Sequence, residues 1–173
     1  LVETYSNGWV WSIPLSPVLR YFTVMMDTEV TPIKKKVDLR STYLAEIEKT
    51  AHIRELLLES SLQESPWGCD ASLYSASRFA GSKFLFVGYA GSFIDPLSSF
   101  GIKKALASAW MAAVVVNTCL GCFEMTNVSL EVFSDRERHV YLSYLKKSTS
   151  FFAKAAARYS HPFWDERARP RVE

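Results

Sequence analysis

"GYAGSFIDPLSSFGIKKALASAW", running from Gly88 to Trp110, decides the fold. It opens with Gly, Ala and Ser, small residues that let a backbone approach a ligand closely. Asp95-Pro96 stiffens the middle, and an apolar helix follows from about Phe100 and Gly101, with Ser98 or Ser99 available to cap it. Just before it, "KFLFVG" (83–88) predicts a buried strand. Strand, turn and helix in this order aim the first helical N–H groups, and the positive end of the dipole, into the space above the strand. An anion or an electron-rich ring edge binds well there. An ordinary strand–turn–helix corner would have the same sequence pattern.

Upstream, "WVWSIPL" (9–15) alternates with period two, Trp9, Trp11 and Ile13 on one face and Val10 and Ser12 on the other. "SP" (16–17) predicts a turn and "LRYFTVMMD" (19–27) a returning strand, so residues 1–30 read as a hairpin. Residues 31–70 read as a polar linker, "TPIKKK" with Lys34, Lys35 and Lys36 solvated, and then a helix from Ser41 or Thr42 through "YLAEIEKTAHIRELLLESSL". "ESPWGCD" ends that helix at Pro66 and Gly68. "ASLYSASRFA" (71–80) predicts a strand and Gly81-Ser82 a tight turn, which makes 71–122 a strand–turn–helix module. Residues 123–173 predict a second long helix over about 129–158, with Leu130, Phe133, Val140, Tyr144 and Phe151 on one side. "HPFW" (161–164) anchors the tail, and "DERARPRVE" is expected to fray.

Composition narrows the function. At 173 residues, 49% hydrophobic and 22% charged, the chain can bury a real core and has neither repeats nor low-complexity tracts. A net charge of +2 gives no case for nucleic acid or an anionic membrane surface as partner. Three cysteines form no disulfide framework, which predicts a reducing, cytoplasmic setting. "CLGC" (Cys119 to Cys122) lacks the βαβ context of a redox pair and the second ligand pair of a zinc site, so two buried thiols and no metal are expected. "ALASAWMAAVVVNTCLGCF" is long enough to span a membrane, but its Ala, Ser and Thr content favours a buried core helix. The seven glycines, at 8, 68, 81, 88, 91, 101 and 121, form no G-x-G-x-x-G, so the chain has no pyrophosphate cradle of the usual kind.

Two motifs carry a family resemblance. "VGYAGSFIDPLSSFGIKKALASAW" resembles the second flavin-binding motif of flavin-dependent halogenases and related FAD monooxygenases, which reads G-D-A, a spacer, D-P-L or D-P-V, S-S and G before a long helix. "GWVWSIPL" is similar to the W-x-W-x-I-P signature of the halogenases. The resemblance covers roughly residues 5–120, and the sequence to 165 looks like the C-terminal helices of such proteins.

The resemblance implies an α/β fold: the C-terminal portion of a Rossmann-type FAD enzyme, with a hairpin from the substrate-side sheet and long C-terminal helices, α+β by its own content. It implies FAD as cofactor, FADH2 delivered by a partner flavin reductase, O2, a halide and an aromatic substrate. Gly88, Tyr89, Ala90, Asp95, Pro96, Ser98, Ser99, Gly101 and Ile102 match the cofactor motif. The N–H groups of Phe100 and Gly101 match the halide-binding amides, and Trp9, Trp11, Ile13 and Pro14 the substrate side. In the family the pyrophosphate turn and an essential lysine lie upstream, and Lys103 and Lys104 sit in the wrong motif to replace that lysine. The chain, which begins at Leu1 with neither Met nor signal peptide, is therefore expected to be one incomplete domain of a larger flavoprotein. Two positions depart from the pattern. Tyr89 stands where the family has the Asp that hydrogen-bonds the ribityl chain, and Ser98 where free-tryptophan halogenases have Glu, which suits phenol- or pyrrole-type branches better.

Overall fold

The computed structural model describes residues 1–29 and 39–169, and the Lys34–Lys36 linker lies outside them. In chain order the elements are β1 (Val2–Tyr5), β2 (Gly8–Ser16), β3 (Leu19–Met26), α1 (Leu39–Glu48), β4 (Tyr74–Ser75), β5 (Ala80–Gly81), β6 (Phe84–Leu85), β7 (Ser92–Phe93), α2 (Gly101–Gly121), α3 (Thr126–Arg158) and α4 (Pro162–Arg167). They fall into two compact units, one of Leu1–Cys69 with Ser150–Glu173 and one of Asp70–Thr149.

The first unit carries an antiparallel sheet of order β1-β2-β3. The expected hairpin is there, Trp9 opposite Met25 and Ile13 opposite Tyr21, with a register shift between Pro14 and Ser16. A proline lacks the N–H for a ladder bond, so a bulge at that point relieves the mismatch. The alternation of β2 describes its geometry better than its burial. Trp9 and Val10, on opposite faces, are both buried, whereas Ile13 reaches solvent at the far end of the strand.

Spacing predicts one helix from Ser41 or Thr42 to about Leu62, but α1 ends at Glu48 and a single 3-10 turn follows at Arg54–Leu57. Ser41 and Thr42 lie inside α1, past its first residue. The break has a cause in another element. The Glu3 carboxylate, on β1, accepts the backbone N–H groups of Ala51, His52 and Ile53, the last at 2.9 Å. Thr50 Oγ1 also donates to Ile47 O at 2.6 Å. Donors that would have continued the helix are satisfied elsewhere.

Burial raises the affinity of Glu3 for its proton, but the three backbone donors outweigh it and leave the carboxyl below its ordinary range. The stabilisation is therefore present above the unfolded value of about 4.3 and lost as pH falls through the lower folded value. Glu3→Gln should melt lower than wild type at neutral pH, and the gap should narrow as pH falls below about 4.3. A constant gap across that range would mean that Glu3 does not act as a charged cap.

Tyr5, Val10, Ile47 and Ile53 form one core cluster of this unit. The Tyr5 hydroxyl donates to Glu46 at 3.0 Å, and Lys49 pairs with the same carboxylate at 2.7 Å. "HPFW" anchors the tail as expected: His161 Nδ1 accepts Phe163 N–H at 3.2 Å, and Phe163 and Trp164 are buried. The tail does not fray at Asp165, because α4 continues to Arg167, whose guanidinium donates to Phe163 O and Asp27.

In the second unit the expected strands over 71–80 and 83–88 shrink to two-residue ladders, β4 with β7 and β5 with β6. Each strand of the unit finds a partner over two positions only, and an unpaired ladder has nothing to extend along. Phe84 and Phe86 are consequently exposed and packed ring to ring at 4.9 Å, not buried in a sheet. Phe79, Ala80, Ala112, Val115 and Phe133 make the core cluster.

Helix α2 starts where the sequence places it but is not buried all round. Lys104, Ser108, Ala112 and Val115 face the core, while Ile102, Leu106, Leu120 and Trp110, the last 71% exposed, do not. By length and composition alone it could cross a bilayer. Helix α3 also shifts its stripe: Phe151 is exposed and Phe152 buried, and Glu137 and Ser148 sit on the buried side. The two thiols expected to be buried are not both so. Cys119 is half-buried near Thr126 O, and Cys122 is exposed. Among the described residues no group of three or more His, Cys, Asp or Glu is gathered as a metal site would require.

Candidate functional site

The Gly88–Ile102 segment folds as three linked pieces in the second unit. Gly88–Ala90 form a single 3-10 turn, entered through Gly88 at φ 59°, a left-handed conformation that glycine adopts without strain. Ser92–Phe93 then pair with Tyr74–Ser75. Asp95 is buried, and its side chain accepts Leu97 N–H at 2.8 Å across Pro96. Ser98 Oγ donates to Asp95 O at 2.8 Å. Asp95, Pro96 and Ser98 thus build the turn itself.

The turn delivers the chain to α2 through Ser99, whose φ of 54° is left-handed and strained by about 1–2 kcal/mol for a residue with a Cβ. Phe100 is the N-cap and has no side-chain cap bond, so the capping role expected of Ser98 or Ser99 is not met. Ser98 Oγ instead accepts the Phe100 N–H, weakly, at 3.4 Å. No described residue accepts the N–H groups of Gly101 and Ile102. Those donors are free at the positive end of a 21-residue helix.

Tyr89 lies over this opening. A Cβ added at Gly101 would overlap the Tyr89 hydroxyl, so the phenol rests directly on the first residue of α2. Its ring meets Phe93 edge-on at 4.9 Å, and the Tyr74 hydroxyl donates to its carbonyl. Tyr89 is still 42% exposed, and Ala90, Ser99, Phe100 and Ile102 are exposed beside it in sequence. Burial, aided by Tyr74, pushes the Tyr89 phenol up, so it stays a neutral donor at physiological pH.

The predicted site residues therefore fall into two groups. Gly88 to Ile102 are brought together around one turn of the second unit, while Trp9, Trp11, Ile13 and Pro14 belong to the sheet of the first. In that sheet Trp9 and Trp11 stack at 6.2 Å. Trp9 is buried as a core aromatic, whereas Trp11 is half-buried with its indole N–H lacking a partner among the described residues. Sequence reasoning missed Lys104 and Ser108. They occupy the buried face of α2 at i and i+4, and Lys104 Nζ donates to Gly88 O and Ser92 O, both at 2.8 Å. The signal was present: a lysine and a serine one turn apart, in step with Ala112, within an otherwise apolar helix.

The fold is one of known flavoproteins. It matches the solved structure of CmlS, a flavin-dependent halogenase, with a TM-score of 0.87 and 22% identity, over 98% of this chain and 31% of that one. It matches the peptidyl tryptophan dihydroxylase QhpG with a TM-score of 0.84 and 26% identity, over 99% of this chain and 40% of that one.

Sequence comparison adds relatives of the same kind. The chain is 37% identical over 120 residues to the flavin-dependent halogenase otaD of Aspergillus niger, covering 64% of this chain and 24% of that protein. It is 36% identical over 118 residues to the flavin-dependent halogenase rdc2 of Metacordyceps chlamydosporia, covering 65% and 23%. No protein-family model matches it. The chain is thus similar in sequence to flavin-dependent halogenases, proteins that use FAD, and its α/β fold matches part of theirs. It spans about a quarter of the length of the curated relatives that it matches.

The residues present fit one part of FAD. The left-handed Gly88, the side-chain-free Cα of Gly101 and the open amides suit an electron-rich edge of the cofactor. A pyrophosphate cradle is not among these 173 residues.

Proposed function

We propose that the chain is the C-terminal part of an FAD-dependent oxidoreductase of halogenase type, with a pyrophosphate turn and an essential lysine upstream. Its substrates are an electron-rich aromatic, a halide and O2, and a partner reductase supplies FADH2. One observation carries the reading: a left-handed glycine turn joined by Asp-Pro to a long helix with unpaired N–H groups at its start. Bound there, reduced flavin supplies the activation of O2 that oxidises the halide. Gly88, Tyr89 and Ala90 face the cofactor, while Asp95, Pro96, Ser98 and Ser99 fix the turn that aims α2 at it. The N–H groups of Gly101 and Ile102 hold developing negative charge at the helix start. Ile13 and Pro14, exposed on β2, form the substrate side with half-buried Trp11, and Trp9 backs them from the core. We assign the protein to the cytoplasm, on its three free thiols.

A second reading, a monooxygenase that uses no halide, has its own support. Of the two amides expected to hold halide, Phe100 N–H is already turned to Ser98 Oγ, and the Tyr89 hydroxyl rests on Gly101. Supplying the intact protein with FADH2, O2 and an electron-rich phenol, with and without bromide, separates the readings. A brominated product that requires bromide supports the first, and hydroxylation independent of bromide supports the second. Neither product, together with no bound FAD, would mean a non-catalytic relative and retire both.

A further inference from the structure

Lys104 is an expensive residue for its position. It is 3% exposed, on the buried face of an apolar helix, where a leucine would be covered at no electrostatic cost. Burial depresses its affinity for a proton, and Glu137 of α3, itself fully buried, works against that loss. Glu137 has one carboxylate oxygen on Arg136 and the other without a hydrogen-bond partner among the described residues. Two buried charges of opposite sign are thus kept within one unit.

What the ammonium touches explains its position. Nζ donates to Gly88 O and Ser92 O, the carbonyls at the two ends of the five-residue loop Gly88–Ser92. One helical turn along, Ser108 Oγ accepts the Gly88 N–H at 3.2 Å. The left-handed Gly88 is therefore gripped through both its N–H and its carbonyl by two side chains of α2. The exposed tip of the loop, Tyr89 and Ala90, lies between the two anchored ends, and Nζ also lies 5.8 Å from the centroid of the Tyr89 ring. A single cation fixes the loop to the helix whose N-terminus the loop overhangs.

We propose that Lys104 is a positioning residue for the flavin site: acting through the carbonyls of Gly88 and Ser92, it holds the Gly88–Ser92 loop in register with the start of α2. This rests on the flavin reading of the site. It differs from the upstream lysine of that reading, because Lys104 acts on the protein's own backbone. A hydrogen bond from a charged donor is stronger than a neutral one, and two from one ammonium fix both ends of the loop at once.

The test uses the intact protein and two variants. Lys104→Met alone takes the donor from Gly88 O and Ser92 O and leaves buried Glu137 with Arg136 as its remaining cation, so its stability will fall. Lys104→Met with Glu137→Gln removes both buried charges and keeps the volume, so it should melt above the single variant while still lacking the two bonds to Gly88 O and Ser92 O. In that double variant FAD should bind roughly ten- to a hundredfold more weakly, the worth of one lost charged hydrogen bond. Hydrogen–deuterium exchange of the apo protein should show the Gly88–Ser92 amides opening faster by about tenfold or more, with the amides of the second half of α2 unchanged. FAD affinity and loop exchange both equal to wild type in the double variant would overturn the proposal and leave the flavin reading intact. Failure of the wild-type protein itself to bind FAD would overturn the flavin reading and the role given to Lys104 with it.

Discussion

Trp164→Ala should cost the first unit about 3–5 kcal/mol, enough to unfold most marginal domains at physiological temperature. The side chain is 0% exposed, and its ring packs against Phe163 at 4.7 Å, with Tyr159 and Phe152 near 6 Å. Its Nε1–H is shared between Tyr5 O and Ser6 O, each at 3.0 Å, at the link between β1 and β2. Alanine removes the ring and takes the indole donor from two carbonyls, so the transfer, cavity and polar terms all point one way. Trp164→Phe separates them. It keeps most of the ring and should lose about 1–3 kcal/mol, the share of the lost indole donor. Urea unfolding followed by tryptophan fluorescence measures both variants. A loss under about 1 kcal/mol for alanine would mean that α4 is not part of this core.

Gly88→Ala should have the second large effect, about 2–4 kcal/mol, because a strained conformation and a tight contact add together. At φ 59° a Cβ costs about 1–2 kcal/mol. The same Cβ would meet Ala105 Cβ at 3.1 Å, and relief by movement is opposed by the bonds of Gly88 to Ser108 and Lys104. The strain must go into the Gly88–Ser92 loop, so FAD affinity should fall with stability. Gly121, with open space around it and no positive φ, is the control. Gly121→Ala should be neutral or slightly stabilising, in line with helix propensity. Equal melting temperatures for Gly88→Ala and Gly121→Ala would show that the left-handed turn is not required.

These two residues also mark how far the sequence could be read. Gly88 was visible because a glycine after an apolar run and before Asp-Pro has few other uses, and the start of α2 followed from the same pattern. The hairpin was visible because alternation and a Ser-Pro turn agree with each other. Long-range interactions were invisible. Nothing in "EKTAHIREL" says that Glu3, some fifty residues earlier, takes the N–H groups of Ala51 to Ile53 and ends the helix. The strands at 71–80 and 83–88 failed for a related reason: β propensity describes a residue's fit to a sheet, and the partner strands to make one were missing from the unit. Lys104 was weighed only as a replacement for the upstream lysine and set aside as lying in the wrong motif, because its two backbone acceptors are invisible in the sequence. Tyr89 was recognised as a departure, but its rest against Gly101 depends on backbone geometry that no motif encodes.

The sheet and its tail also set an order of events during synthesis. The Tyr159 hydroxyl donates to Thr4 O and the Trp164 indole to Tyr5 O, pairs 155 and 159 residues apart. The second unit is one uninterrupted stretch, Asp70–Thr149, whereas the first is closed only by residues beyond Ser150. A ribosome adding roughly 5–20 residues per second leaves β1 waiting on the order of 10–30 s for its last partners. During that interval the outer side of β1 has its ladder bonds to β2 but neither Tyr159 nor Trp164 to cover it. A growing chain stalled before residue 150 should therefore offer a protease a mature Asp70–Thr149 unit and an unfinished Leu1–Cys69 segment. Strand β1, although made before β2–β7 and α1–α4, is among the last of these elements to become native.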